Sequence, residues 1–215
     1  MPPSLPNFLQ PEELIYTLVI LTLCLIIYFK TKELYELSEH EGIRFFRYTF
    51  LLFGLSYVFR FVLHIIMITF FSNGFYLPRN FVGPISIVPV SYLSTLALFF
   101  LVYSLIWRKI EKRKFLIFSN SIALVFSLVA FLTRSNQIIS VLQVSLIVFI
   151  IIVLLLKKKF SQTKLLYLLI VIFWVINLLL LGPKRMLAPE IDIFLKIISI
   201  GLFSIICLKV IKWVK

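Results

Sequence analysis

The chain has 215 residues, 61% of them hydrophobic, and carries a formal net charge of +13. Charged residues make up 14% of the sequence, well below the ~25% typical of soluble domains. This composition excludes an ordinary water-soluble domain, because so much apolar surface cannot be buried at this length, and it indicates a lipid environment. The basic residues separate apolar runs, and no zinc-finger or RNA-binding motif occurs, so nucleic acid is not an expected partner.

Seven apolar segments predict an all-α, polytopic membrane protein with seven transmembrane helices. Each segment has about the ~20 residues that a helix needs to cross the hydrocarbon of a bilayer. Helices are required because lipid offers no partner for backbone N–H and C=O groups. No Lys or Arg precedes the first segment, so we expect a retained span and not a cleaved secretory signal. The single membrane domain, residues 1–215, has spans at 14–29, 48–71, 85–107, 115–132, 138–156, 165–181 and 191–208.

Turn-forming residues separate the segments. We expect the first helix to continue past the membrane as a charged extension until Gly42. Breaks before the third and seventh spans are predicted from glycine, asparagine and proline. These residues are Asn73, Gly74, Pro78 and Pro84 in one break, and Gly182, Pro183 and Pro189 in the other.

The distribution of Lys and Arg predicts the orientation. With the N-terminus outside, most of the 22 basic residues fall on the cytoplasmic side, as the positive-inside rule requires. We therefore expect a cell-membrane protein with its C-terminus in the cytoplasm. The basic inner loops are expected to contact anionic lipid head groups.

Two similar loops suggest an internal repeat. "PRNFVGP" at 78–84 and "PKRMLAP" at 183–189 each precede an apolar segment of the same direction. One interpretation is a 3+1+3 parallel repeat, in which the first three spans correspond to the last three. The other is similar turn chemistry at two unrelated loops.

Polar residues concentrate in the outer halves of the spans. Ser56, Tyr57, Arg60 and His64 share one face of the second span. Arg60 lies roughly 18 Å from the membrane surface by helix rise, where a charge facing lipid costs at least ~2.5 kcal/mol. We therefore expect this face to line a polar pocket that opens to the outside. The alternative is hydrogen bonding between helices without any ligand. The candidate ligand-binding residues are Tyr57, Arg60, His64, Tyr92, Thr95, Gln143, Asn177 and Lys196.

Asp192 and Lys196, four residues apart, resemble the retinal-binding helix of microbial rhodopsins. Lys196 lies roughly 8 Å into its span, which is too shallow for a Schiff base near the middle of the membrane. The third span also has no carboxylate to balance a protonated Schiff base. A snorkelling lysine paired with Asp192 is the better interpretation, and no cofactor is expected.

Metal binding and catalysis are not expected. Glu36 and His40 could share a helix face suited to a metal ion, but exposed ion pairs with nearby basic residues explain this loop more simply. No G-x-S-x-G, H-E-x-x-H, Walker or dinucleotide motif occurs, so we expect no enzymatic activity. Cys24 and Cys207 both lie in apolar runs and are interpreted as small apolar residues.

The stretch "FKTKELYELSEHEGIRFFRYTFLLFGLSYVFRF", Phe29 to Phe61, resembles the first loop and second helix of uncharacterised small prokaryotic seven-helix membrane proteins. More loosely, it is similar to the seven-helix sensor regions fused to histidine kinases. That resemblance implies a sensor or receptor-like protein that signals through a separate partner, because no kinase domain is present.

Two functional interpretations therefore stay open. The first is a sensor or ligand-binding membrane protein with a polar pocket in its outer half. The alternative is a small solute transporter of the 3+1+3 kind found in the SWEET and PQ-loop groups, although no Pro-Gln dipeptide occurs in the chain.

Overall fold

The computed structural model describes residues 11–72, 79–133, 135, 137–156, 162–181 and 189–214. Within these residues the regular elements are all helices, and no β-strand occurs. Seven of its helices are long and apolar enough to cross a membrane, which confirms the predicted fold class and indicates a multi-pass protein in a lipid bilayer. The helices are α1 (Pro11–Ser38), α2 (Glu41–Ser72), α3 (Arg79–Ile106), α4 (Lys112–Thr133), α5 (Gln137–Leu156), α6 (Gln162–Leu181) and α7 (Pro189–Val214).

The first helix ends before the residue predicted from the sequence. Gly42 is not its end, because α1 stops at Ser38 and Gly42 lies inside α2. Glu39 makes the break with a left-handed φ of 48°, and its N–H donates to Tyr35 O at 2.8 Å. A Cβ at position 42 would lie 2.9 Å from the His40 ring, so a larger residue there would require that ring to shift.

The prediction that Pro84 separates the second and third helices is also wrong. Helix α3 begins at Arg79 and continues through Pro84 and Pro89. Membrane helices tolerate proline because neighbouring helices and Ser or Thr side chains can satisfy the backbone groups that it frees. Downstream of Pro89, Ser91 donates its Oγ–H to Val88 O at 3.2 Å.

The helices form a closed ring in chain order. Each helix packs against the next, α7 returns to α1, and α3 also packs against α5. As a result, 72% of the α3 span is buried, against 28–44% for the other six. Two separate three-helix bundles would instead place α1 against α3 and α5 against α7. The 3+1+3 repeat is therefore not confirmed by the main contacts of the described helices.

Aromatic rings fill the middle of the bundle and form one wall of the candidate site. Phe173 of α6 stacks on Phe203 of α7 with ring centroids 4.4 Å apart. Phe53 of α2 meets Trp174 of α6 at 4.6 Å. Such contacts stabilise the packing by about 0.5–1.5 kcal/mol each beyond area burial, so this wall holds α2, α6 and α7 in fixed relative positions.

Candidate functional site

A small cavity with polar groups in its wall lies between α2, α3, α5 and α6. Its volume is about 10 Å³, close to the least space that one water molecule needs. Four of the eight candidate residues line it: Tyr57, Arg60, Gln143 and Asn177. The other lining residues are Phe53 and Ser56 of α2, Ser94 of α3, and Trp174 and Leu178 of α6.

The cavity lies toward the end of the bundle at which α1 and α7 begin, which we call the predicted outer end. Gln143 comes six residues after the start of α5, and Asn177 four residues before the end of α6. Both are therefore within about two helical turns of that end. The predicted orientation places this half of the bundle outside.

Asn177 anchors one side of the cavity. The Tyr57 hydroxyl donates to Asn177 Oδ1 at 2.6 Å, and the Tyr16 hydroxyl of α1 donates to the same oxygen at 3.3 Å. Tyr16 Oη is also hydrogen-bonded to Ser199 Oγ of α7 at 2.9 Å. Because all four residues are at least 95% buried, these bonds join α1, α2, α6 and α7 away from solvent.

Gln143 anchors the opposite side. Its Nε2 group donates to Ser94 Oγ and to Thr95 Oγ1, each at 3.0 Å. Gln143 is 2% exposed, so its amide would be costly to bury without these partners. Thr95, a further candidate residue, therefore supports the cavity through Gln143 without being one of its lining residues.

Arg60 is the charged residue in the cavity wall. Its Cζ lies 5.1 Å from the centre of the Tyr57 ring, a distance that permits a cation–π contact. No carboxylate of the described residues lies within 4.0 Å of its guanidinium group. The side chain is half-buried, so it brings an uncompensated positive charge to the edge of the cavity.

Tyr92 is not among the described residues that line the cavity. The Tyr92 hydroxyl of α3 instead donates to Asn120 Oδ1 of α4 at 2.7 Å. The His64 side chain lies outside the described residues, so its predicted place on the pocket face stays a prediction. Its backbone belongs to α2, one turn beyond Arg60.

Lys196 lies in a separate ion cluster. Its Nζ is 2.6 Å from Asp192 Oδ2 and 3.1 Å from Glu13 Oε1 of α1. The pair with Asp192 is thus present, but Lys196 is 6% exposed and is held inside the bundle by two helices, so it does not snorkel. Tyr16 lies three residues after Glu13, and Ser199 lies three residues after Lys196. The ion cluster is therefore next to the hydrogen bonds that involve Asn177.

Tyr16, Ser199 and Glu13 are network residues that the sequence did not single out as site candidates. Tyr16 is a lone aromatic hydroxyl in an apolar run, which gives no cue to its partners. Tyr16 comes close to Asn177 because α7 packs against both α1 and α6. The polar residues of α3 and α7 did carry a usable signal, since Ser94 and Ser199 interrupt apolar runs in the same half of the membrane.

The residues that the sequence suggested for a metal ion have other contacts in the structure. Within the described ranges, no three His, Cys, Asp or Glu side chains are grouped closely enough to hold a metal ion. Glu36 pairs with Lys32 at 3.6 Å, and the His40 ring packs 4.7 Å from that of Trp107. The cavity of about 10 Å³ is far below the ~300–1,000 Å³ of ordinary ligand pockets.

Comparison with known proteins gives one informative similarity. The chain is 31% identical over 149 residues to an uncharacterized protein of Archaeoglobus fulgidus. The aligned region covers 66% of this chain and 66% of that protein. No family model and no solved structure matches the chain. Because this archaeal protein is uncharacterized, the similarity assigns no activity to the chain.

Proposed function

We propose that the protein is a receptor-like membrane sensor that binds a small ligand in the cavity between α2, α3, α5 and α6. The observation that carries the proposal is the convergence of Tyr57, Arg60, Gln143 and Asn177, from three different helices, on one cavity. Polar side chains that merely join helices need only pairwise contacts. Here they surround a common space and add a charge that the described carboxylates do not neutralise.

The hydrogen bonds around the cavity suit a sensor because they extend beyond the lining residues. Tyr57 and Asn177 connect it to α1 and, through Tyr16, to α7. Gln143 connects it to α3. A ligand shifts a conformational equilibrium only if it contacts the two states differently. A ligand that displaced the Tyr57 or Gln143 bonds would change how several helices are held together.

The signal then has to leave the membrane at the end opposite to the predicted outer end. We propose that this basic end faces the cytoplasm and contacts anionic lipid head groups and a separate signalling partner. Arg108, Lys109, Arg113 and Lys114 are exposed around the connection between α3 and α4. Exposed cations near a cytoplasmic leaflet gain about 1 kcal/mol each from anionic lipid.

Solute transport is the alternative, and the ring arrangement of the helices does not favour it. Transport needs a path that opens in turn to each side of the membrane. The polar cavity lies toward one end. We likewise propose that the protein has no enzymatic activity, since the described cavity residues include no histidine, carboxylate or lysine to act as a general base. Uptake of small solutes by proteoliposomes that Arg60→Leu abolishes would favour the transporter over the sensor.

Ligand binding is tested by thermal unfolding of the purified full chain in lipid nanodiscs. A panel of small polar solutes, neutral and charged, is added to the wild type, to Arg60→Gln and to Arg44→Gln. A ligand that binds the folded state raises the unfolding temperature by an amount that grows with the logarithm of its concentration above Kd. We expect at least one solute to stabilise the wild type and Arg44→Gln, but not Arg60→Gln.

Arg44 is the matched control because it lies on the same helix at the other end, paired with Glu41 at 3.5 Å. A panel in which no solute stabilises the wild type would contradict the sensor proposal. The same holds if Arg44→Gln removes the stabilisation as fully as Arg60→Gln, because the effect would then follow net charge and not the cavity.

A further inference from the structure

We infer that the ligand of this cavity is a monovalent anion of about halide size, held by Arg60. This inference deepens the proposed function and rests on it. It starts from the charge of the wall: the nine lining residues include one arginine and no carboxylate. A guanidinium group in a low-dielectric region attracts an anion much more strongly than it would in water.

The carboxylates of the predicted outer end do not provide the missing partner. Glu13 and Asp192 both point at Lys196, at 3.1 and 2.6 Å, so their charge is shared with a buried lysine. Tyr57 gives Arg60 the face of a ring, which offsets part of the desolvation cost but carries no net charge. A small anion in the cavity would neutralise the guanidinium where the described protein does not.

The other polar groups in the cavity wall can donate further hydrogen bonds to an anion bound at Arg60. Hydroxyl groups can rotate to donate toward a bound ion. Ser56 and Ser94 now donate to carbonyls of their own helices, at 2.7 and 3.2 Å, and those bonds can be exchanged at little cost. Arginine offers five N–H donors in a planar fork. A neutral solute of the same size would leave the guanidinium uncompensated, so charge selects the anion.

Size limits the anion. A volume of about 10 Å³ admits something close to a water molecule, which excludes organic acids of several carbons and nucleotides. Chloride and bromide need only small adjustments of the lining side chains. Gluconate, which is far larger, serves as a non-binding anion that keeps ionic strength constant.

Trp174 provides a direct readout because it lines the cavity and is 2% exposed. Heavy halides quench indole fluorescence on contact, and a buried indole in a nanodisc is shielded from ions in bulk water. Changing the other two tryptophans, Trp107 and Trp213, to Phe leaves Trp174 as the single emitter. Bromide is then titrated against gluconate in this background.

We expect quenching that saturates, with Arg60→Gln raising the half-saturating bromide concentration at least tenfold. Arg60→Lys should keep saturation with a weaker affinity, because it retains the charge but loses the planar fork. Arg44→Gln, at the far end of α2, should leave the curve unchanged. Quenching that stays linear in the Trp174-only protein would overturn the inference, as would a saturation curve that Arg60→Gln leaves unmoved.

Competition in the Trp174-only protein itself covers the case in which Arg60→Gln does not fold. Added chloride should raise the half-saturating bromide concentration in proportion to its own concentration. A curve that chloride does not shift would overturn the inference without any Arg60 variant. The two proposals fail separately. If a neutral solute stabilises the protein through Arg60 but bromide quenching is linear, the anion is refuted and the sensor stands. If bromide quenching is linear and no solute stabilises the protein, both the anion site and the sensor proposal are refuted.

Discussion

The hydrogen bond between Tyr57 and Asn177 offers a direct test of the site, because it joins two of the predicted site residues. Its length is 2.6 Å, and both residues are at least 95% buried. Asn177→Leu removes the acceptor while keeping a side chain of similar size. Tyr57→Phe removes only the hydroxyl. The two changes and their combination form a double-mutant cycle.

The magnitude follows from what each change leaves behind. Asn177→Leu strands the Tyr57 hydroxyl, which costs ~1–3 kcal/mol in a buried site. Hydrogen bonds between membrane helices average ~0.6 and reach ~1.7 kcal/mol, so we expect a loss of about 1–2 kcal/mol. Tyr57→Phe should cost less, roughly 0.5–1 kcal/mol, because Asn177 Oδ1 keeps its bond from Tyr16 at 3.3 Å. The double variant should then lose less than the sum, by about 0.5–1.5 kcal/mol.

The assay is reversible unfolding in mixed micelles, followed by circular dichroism and fitted for the free energy of unfolding. Tyr92→Phe is the matched control, because Tyr92 donates to Asn120 and not to Asn177. Its effect should add to that of Asn177→Leu within ~0.5 kcal/mol. Additivity of Tyr57→Phe and Asn177→Leu to the same tolerance would refute the described site, since no bond would then join the two side chains.

Three further predictions concern stability in the same unfolding assay. Gly54→Ala should cost ~1–3 kcal/mol, because its Cβ would lie 3.0 Å from that of Cys24. Gly201→Ala is the control: the space around Gly201 is open, so this change should be neutral or stabilising by up to ~1 kcal/mol. Equal effects of the two changes would contradict the packing of α1 against α2. Lys196→Met should cost about 2–4 kcal/mol, since it leaves two partly buried carboxylates without their cation, and a neutral effect would contradict the ion cluster. Gln143→Leu should lose ~1 kcal/mol, because two hydrogen bonds to α3 disappear; no change would show that these bonds do not form.

The seven helices were predictable because the bilayer constrains length and composition together. Any apolar run near 20 residues must cross as a helix, so the number of spans needed no tertiary information. Local chemistry at the ends was harder to predict. Gly42 and Pro84 have strong turn propensities, but Gly42 lies inside α2, and α3 continues through Pro84.

The composition of the site was predictable in part. Arg60, Gln143 and Asn177 stand out because polar groups in lipid are costly and therefore informative. Which polar groups meet was not predictable, because a membrane helix is apolar on every side and its sequence says little about which face turns inward. Tyr92 and Thr95 lie close together on α3, yet one bonds to α4 and the other to α5.

Labelling of single cysteines tests the membrane arrangement on which the whole account depends. In a Cys24→Ala, Cys207→Ala background, a cysteine replaces Glu12 or Lys212, both exposed near opposite ends of the chain. Seven spans with the predicted orientation require that an impermeant maleimide added to intact cells labels position 12 at once and position 212 only after permeabilisation. Labelling of both positions from the same side would contradict an odd number of crossings, and with it the predicted outward-facing position of the cavity.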